Sequence, residues 1–126
     1  MSNAETSLLR PATSYLAIVG QILVRQRHER GLQQADIATQ MDLSQSAWSR
    51  IERGEAAMTL DQLRRAAALL GSSGAQILTA ADQVIAGLEQ KGVVVAPGRA
   101  IQQEVPGLVL IGAMALGALI ASAIAR

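Results

Sequence analysis

Gly31-Leu32-Gln33-Gln34-Ala35-Asp36-Ile37-Ala38-Thr39-Gln40-Met41-Asp42-Leu43-Ser44-Gln45-Ser46-Ala47-Trp48-Ser49-Arg50-Ile51-Glu52-Arg53-Gly54 is the stretch whose reading decides the fold. Gln34 to Met41 forms a short helix with Ile37, Ala38 and Met41 turned inward. Asp42 follows where the chain must turn tightly, and Asp tolerates a left-handed backbone better than most residues. Ser44 then offers an N-cap for a second short helix that runs to about Glu52, and Gly54 stops it. The small Ala38 lets the two helices cross closely, while Leu43 and Trp48 anchor either side of the turn.

Working outward, Tyr15, Leu16, Ile18, Val19, Ile22 and Leu23 recur at helical spacing in a segment that starts near Thr13, and an Arg-rich last turn precedes Gly31. After the central pair, Thr59 caps a fourth helix whose Leu60, Leu63, Ala67 and Leu70 are expected on one face, broken by Gly71-Ser72-Ser73-Gly74. Ala75 to about Gln90 reads as a fifth helix. Residues 1–12 show no apolar period and contain Pro11, so they read as a flexible arm. The expectation is an all-α fold: a five-helix domain over 13–91, a linker over 92–104, and a C-terminal hydrophobic helix over 105–126. Within the linker, the run Val93-Val94-Val95 has the composition of a short strand.

Composition agrees with a helical protein and narrows its chemistry. Half of the 126 residues are apolar, with one Trp, one Tyr and no Phe, so the core is to be built from Ala, Leu, Ile and Val. The absence of Cys removes disulfides and thiolate metal sites. Net charge is only +1, which opposes a chain-wide polyanion-binding surface. Its distribution is more informative, since Arg10 to Arg65 holds eight Arg against six Asp or Glu. Arg suits phosphate and guanine because its planar fork bonds them bidentately. No nucleophile–base pair, phosphate-cradling Gly loop or metal-ligand spacing is legible, so neither an enzyme nor a cofactor is expected. His28 stands alone on a helix surface.

Two short helices joined by a tight turn can lay the second in the major groove while the first braces it. That arrangement leaves Gln45, Ser46, Ser49 and Arg50 on the outer face of the second helix. Gln can bond adenine bidentately, Arg can bond guanine, and Ser can meet base or phosphate. Gln34, opening the first helix, is placed to meet a phosphate. Trp48 is expected in the core or at a dimer contact, and Glu52 with Arg53 at the helix end.

Residues 31–54, and more broadly Val19 to Leu78, resemble the Xre/Cro family of repressors. The resemblance implies a DNA-binding regulator acting as a homodimer or higher homo-oligomer, with Gln34, Gln45, Ser46 and Ser49 touching double-stranded DNA and Arg27 touching phosphate. The sequence departs from the family pattern at Asp42, usually Gly; at Gln33, usually a capping Thr or Ser; at Gln26, usually apolar; and at Trp48, usually Val.

Val105 to Ala125 contains no charged residue. About 21 residues at 1.5 Å per residue would just cross a hydrocarbon core of roughly 30 Å. Ala113, Gly117, Ala121 and Ala125 fall every fourth residue, a small-residue ridge that lets helices approach closely. Two readings are open: a tail anchor that tethers a cytoplasmic DNA-binding domain to the inner membrane, which is the leading expectation, or a soluble helix buried in an oligomer. A cytoplasmic helix-turn-helix followed by one span is also similar to the layout of RodZ-type cell-shape proteins, which would make the domain a protein-interaction module.

Overall fold

A computed structural model describes residues 9–97 and 107–124. The chain opens with strand β1 (Arg10–Ser14) and helix α1 (Tyr15–Glu29), then α2 (Gln34–Gln40), α3 (Gln45–Glu52), α4 (Leu60–Leu69) and α5 (Gly74–Gln90). Strands β2 (Val94–Ala96) and β3 (Leu108–Leu110) and helix α6 (Ala113–Ile124) complete the elements of the described residues. The caps follow from the sequence. Ser14, Ser44 and Ser73 hydroxyls accept from the N–H groups of Ala17, Ala47 and Gln76 at 3.0–3.1 Å. Thr59 and Gln62 form a reciprocal capping box at the start of α4. Gly31, Gly54 and Gly71 end helices at positive φ, satisfying carbonyls that an L side chain would hinder.

Among the described residues, one core joins the helices, with Ile18, Leu23, Ile37, Trp48, Ile77 and Leu88 fully enclosed. α1 is its spine, packed against α3, α5 and α6. Leu63, Ala67 and Leu70 of α4 and its cap face this core as expected, but Leu60 does not and is 80% exposed. It stands in the first turn, ahead of the residues that α4 lays on α5.

The all-α expectation needs correction, because a three-stranded parallel sheet of order β2-β1-β3 closes one end of the bundle. Ala12 pairs with Val94 on one side and with Leu110 on the other. Part of the expected arm, Arg10 to Ala12, is thus the central strand; residues 1–8 and the linker positions 98–104 lie outside the described residues. Pro11 is compatible with a central position because of the parallel ladder's alternation. Arg10 N–H bonds Gly107 O at 2.9 Å and Ala12 O accepts from Ile111 N–H at 2.8 Å, so these residues serve β3. Pro11 belongs to the set facing β2, where pairing starts only at Ala12, and its missing N–H leaves no gap in the ladder.

The C-terminal segment is likewise not one long helix. It turns at Gly107, pairs as β3, and becomes helical only from Ala113. The twelve residues of α6 reach about 18 Å at 1.5 Å per residue, well short of a ~30 Å hydrocarbon core. Among the described residues, no helix is long and apolar enough to cross a membrane. Part of the apolarity has a local cause: Leu116 and Ile120 are 1% and 2% exposed, buried against α1 and α5, whereas Met114 is 92% exposed. Truncation of Leu116 to Ala should therefore cost about 2–5 kcal/mol in urea unfolding, as for other enclosed leucines, where a free anchor would leave the domain's midpoint unchanged.

Tyr15 ties the start of α1 to α5. Its hydroxyl donates to Asp82 Oδ1 at 2.8 Å, and desolvation, this hydrogen bond and the carboxylate's charge together push its pKa up to about 12. The fold thus favours the protonated phenol. That stabilisation is complete below the ordinary value of 10.0 and is lost as pH rises toward about 12. Absorbance titration of this single tyrosine should give a midpoint near 12, lowered toward 10.0 in Asp82→Asn.

Candidate nucleic-acid interface

The surface that faces outward from α3 is set by what its inner face holds. Trp48 and Glu52 lie one turn apart on that inner face and are both buried. The Glu52 carboxylate, 2% exposed, accepts four hydrogen bonds. Arg27 of α1 gives two, Nε to Oε2 at 2.7 Å and Nη2 to Oε1 at 3.1 Å. Gln34 of α2 donates Nε2 to Oε1 at 2.7 Å, and the Trp48 indole donates Nε1 to Oε2 at 2.6 Å. A buried carboxylate is tolerated only when paired and hydrogen-bonded, and here three helices supply the partners. Gly20 completes the junction: a Cβ there would lie 2.3 Å from Glu52 O, so α1 and α3 meet backbone to backbone.

The turn between α2 and α3 keeps the second helix at its angle. Asp42 takes φ +57, a left-handed conformation that Gly adopts most readily, and its carboxylate pairs with Arg65 at 3.4 Å. Ala38 is buried at the crossing, and Leu43 N–H reaches back to Ala38 O at 2.9 Å. At Gln33 the missing Thr or Ser cap is replaced from the other direction, since Asp36 Oδ2 accepts the Gln33 N–H at 2.8 Å.

On the outer face, Gln45 and Ser46 are exposed in the first turn of α3 and Arg50 is exposed one turn later. Arg50 makes no ion pair among the described residues. Ser49 is half-buried, and its Oγ accepts from Arg53 Nη1 at 2.7 Å; Arg53 also pairs with Glu55. These four side chains form one polar strip with guanidinium, carboxamide and hydroxyl groups.

Two sequence expectations change. Arg27 is not available to phosphate: it is 6% exposed, with Nε and Nη2 on Glu52 and Nη1 on Leu32 O at 2.9 Å. Gln34 is half-buried at the start of α2, with its amide directed at Glu52. Glu52 as a hub and Gly20 as the contact point were missed. The signal available for Glu52 was Trp48 four residues earlier, an indole donor on an apolar face that needs an acceptor. In the C-terminal segment Ala113 is exposed and Ala121 half-buried, while Gly117 faces Gln21 of α1, whose Oε1 would lie 2.9 Å from an added Cβ. Ala125 lies outside the described residues.

Fold and strip together define a helix-turn-helix domain, and residues 18–79 match a family described as helix-turn-helix domain. Among solved structures, the chain is similar to the clp gene regulator ClgR from Corynebacterium glutamicum, at 22% identity and a TM-score of 0.57. The match covers 75% of this chain and 97% of that one, and it shows a shared fold. No curated protein sequence matches the chain.

Removing the hub carboxylate should be costly. Glu52→Ala leaves the Arg27 guanidinium buried without its charge partner, and a loss of about 3–5 kcal/mol is expected in denaturant unfolding. Glu52→Gln, which keeps the shape and one acceptor, should lose less.

Proposed function

We propose that the protein is a sequence-specific, double-stranded DNA-binding transcriptional regulator of the Xre/Cro type. The observation that carries this reading is the outward strip of Gln45, Ser46 and Arg50 on a short helix braced by a second helix across a tight turn. In a major groove, Gln45 matches the two edge groups of adenine, Arg50 matches those of guanine, and Ser46 matches base or phosphate. Ser49 is the fourth member. The excess of Arg over acidic residues between Arg10 and Arg65 favours approach to phosphate. Recognition of a pseudo-palindromic operator by a homodimer, with half-sites about 34 Å apart, follows from the way such helices pair on a duplex. The site of action is wherever that DNA is, the cytoplasm of a bacterial cell.

A selection of genomic fragments by the full chain tests this. Binding should weaken steeply as salt rises. Gln45→Ala and Arg50→Ala should each cost about 1–3 kcal/mol and relax specificity at one base position, with unfolding midpoints unchanged because both side chains are exposed. Footprints should show two symmetric half-sites. Absence of salt-dependent binding to any duplex would sink the proposal and leave the helix-turn-helix as a protein-interaction module.

A further inference from the structure

We infer that a cavity between the C-terminal segment and the end of α3 binds a small, uncharged amphiphile: an apolar body carrying one neutral hydrogen-bonding group. The cavity measures about 310 Å³, the lower end of the ~300–1,000 Å³ usual for ligand sites. Ala17 and Gln21 of α1 form one wall, Leu110 and Ala113 with Leu116 form the opposite wall, and Gly54 closes the end nearest α3. These walls are mostly hydrocarbon.

The polar groups decide the ligand's charge. Arg53 and Glu55 sit at the rim and pair with each other while remaining half exposed to water. A ligand carboxylate gains Arg53, and a ligand ammonium gains Glu55, only by breaking the pair these two already form, so the rim favours neither charge. Gln21 brings a carboxamide, which both donates and accepts without charge. A hydroxyl or amide is the head group that suits such a wall.

The same rim touches the proposed reading face. Arg53 donates Nη1 to Ser49 Oγ at 2.7 Å, so a molecule that shifts Arg53 also frees or redirects the Ser49 hydroxyl. Occupancy of the cavity stands independently of the DNA reading, and only this coupling rests on it.

Titration of the full chain with hexanol, hexanoate and hexylamine, followed by backbone amide shifts, tests the site. Hexanol should produce saturable shifts confined to the cavity walls and Ser49, with the two charged analogues at least about tenfold weaker because they bury an unpaired charge. Ala113→Phe, which carries a ring into the cavity from the first turn of α6, should abolish the hexanol shifts. Gln21→Met keeps the bulk and removes the carboxamide, and should weaken hexanol selectively. Equal affinity for all three probes, or shifts scattered over the surface, would overturn the site. Saturating hexanol should change the full chain's affinity for a selected duplex by about fivefold or more. Unchanged DNA affinity with a filled cavity would overturn the coupling through Ser49, whereas absence of DNA binding by the hexanol-free chain, with the hexanol shifts present, would count against the regulator reading alone.

Discussion

Everything on the outward side of α3 depends on one buried carboxylate on its inward side. Glu52 gathers Arg27 from α1, Gln34 from α2 and Trp48 from its own helix around two oxygen atoms. An ion pair of this kind adds little net stability compared with apolar residues of the same size, since its desolvation opposes its attraction. What it supplies is geometry, because each donor is directional and the carboxylate cannot be left partly bonded in a dry core. α3 therefore cannot rotate about its axis or slide along α1 without breaking a charged hydrogen bond. Gly20 reinforces the constraint, since the helices already meet at backbone contact.

The departures from the pattern of the family it resembles make sense around that hub. Trp48, larger than the usual Val, brings a donor with it, and Glu52 takes the donor. Arg27 also turns inward to Glu52, so the phosphate contact that the resemblance implied is replaced by an internal one. Asp42 keeps the left-handed turn with a side chain that is useful outside the core, where it meets Arg65. Gln26 has no such resolution: its Oε1 is buried without a hydrogen-bond partner among the described residues.

The two ends of the domain meet in one sheet. β1 lies between β2 and β3, so the segment before α1 is clamped by strands drawn from beyond α5. α6 then lies on α1 and α5, the two longest helices, and adds Leu116 and Ile120 to a core that already contains Ile18 and Leu88. Strand pairing and the burial of Leu116 and Ile120 account for part of the C-terminal apolar stretch, while Val109, Leu110 and Met114 stay exposed. The stretch also walls the cavity next to Arg53, which places the tail beside the end of α3.

Much of this was legible in the residues alone. The caps Ser44 and Thr59, the stops Gly31, Gly54 and Gly71, and the turn at Asp42 are local chemistry, set by a side chain bonding a nearby backbone N–H or by a left-handed backbone. The helical periods marked the inward residues of α1 and, Leu60 apart, of α4, and the pattern around the tight turn left Gln45, Ser46 and Arg50 outside. The strands were beyond such reading except for the Val93-Val94-Val95 run, because three- and five-residue strands carry no measurable period and a parallel ladder joins residues some eighty to a hundred positions apart. The C-terminal stretch was ambiguous for a related reason: apolarity tells that a segment avoids water, and only the tertiary structure tells whether lipid or protein replaces it. Arg27 and Glu52 belong to the same class, since a charge looks solvated in sequence until its partner, 25 residues away, is brought beside it by the packing of the helices.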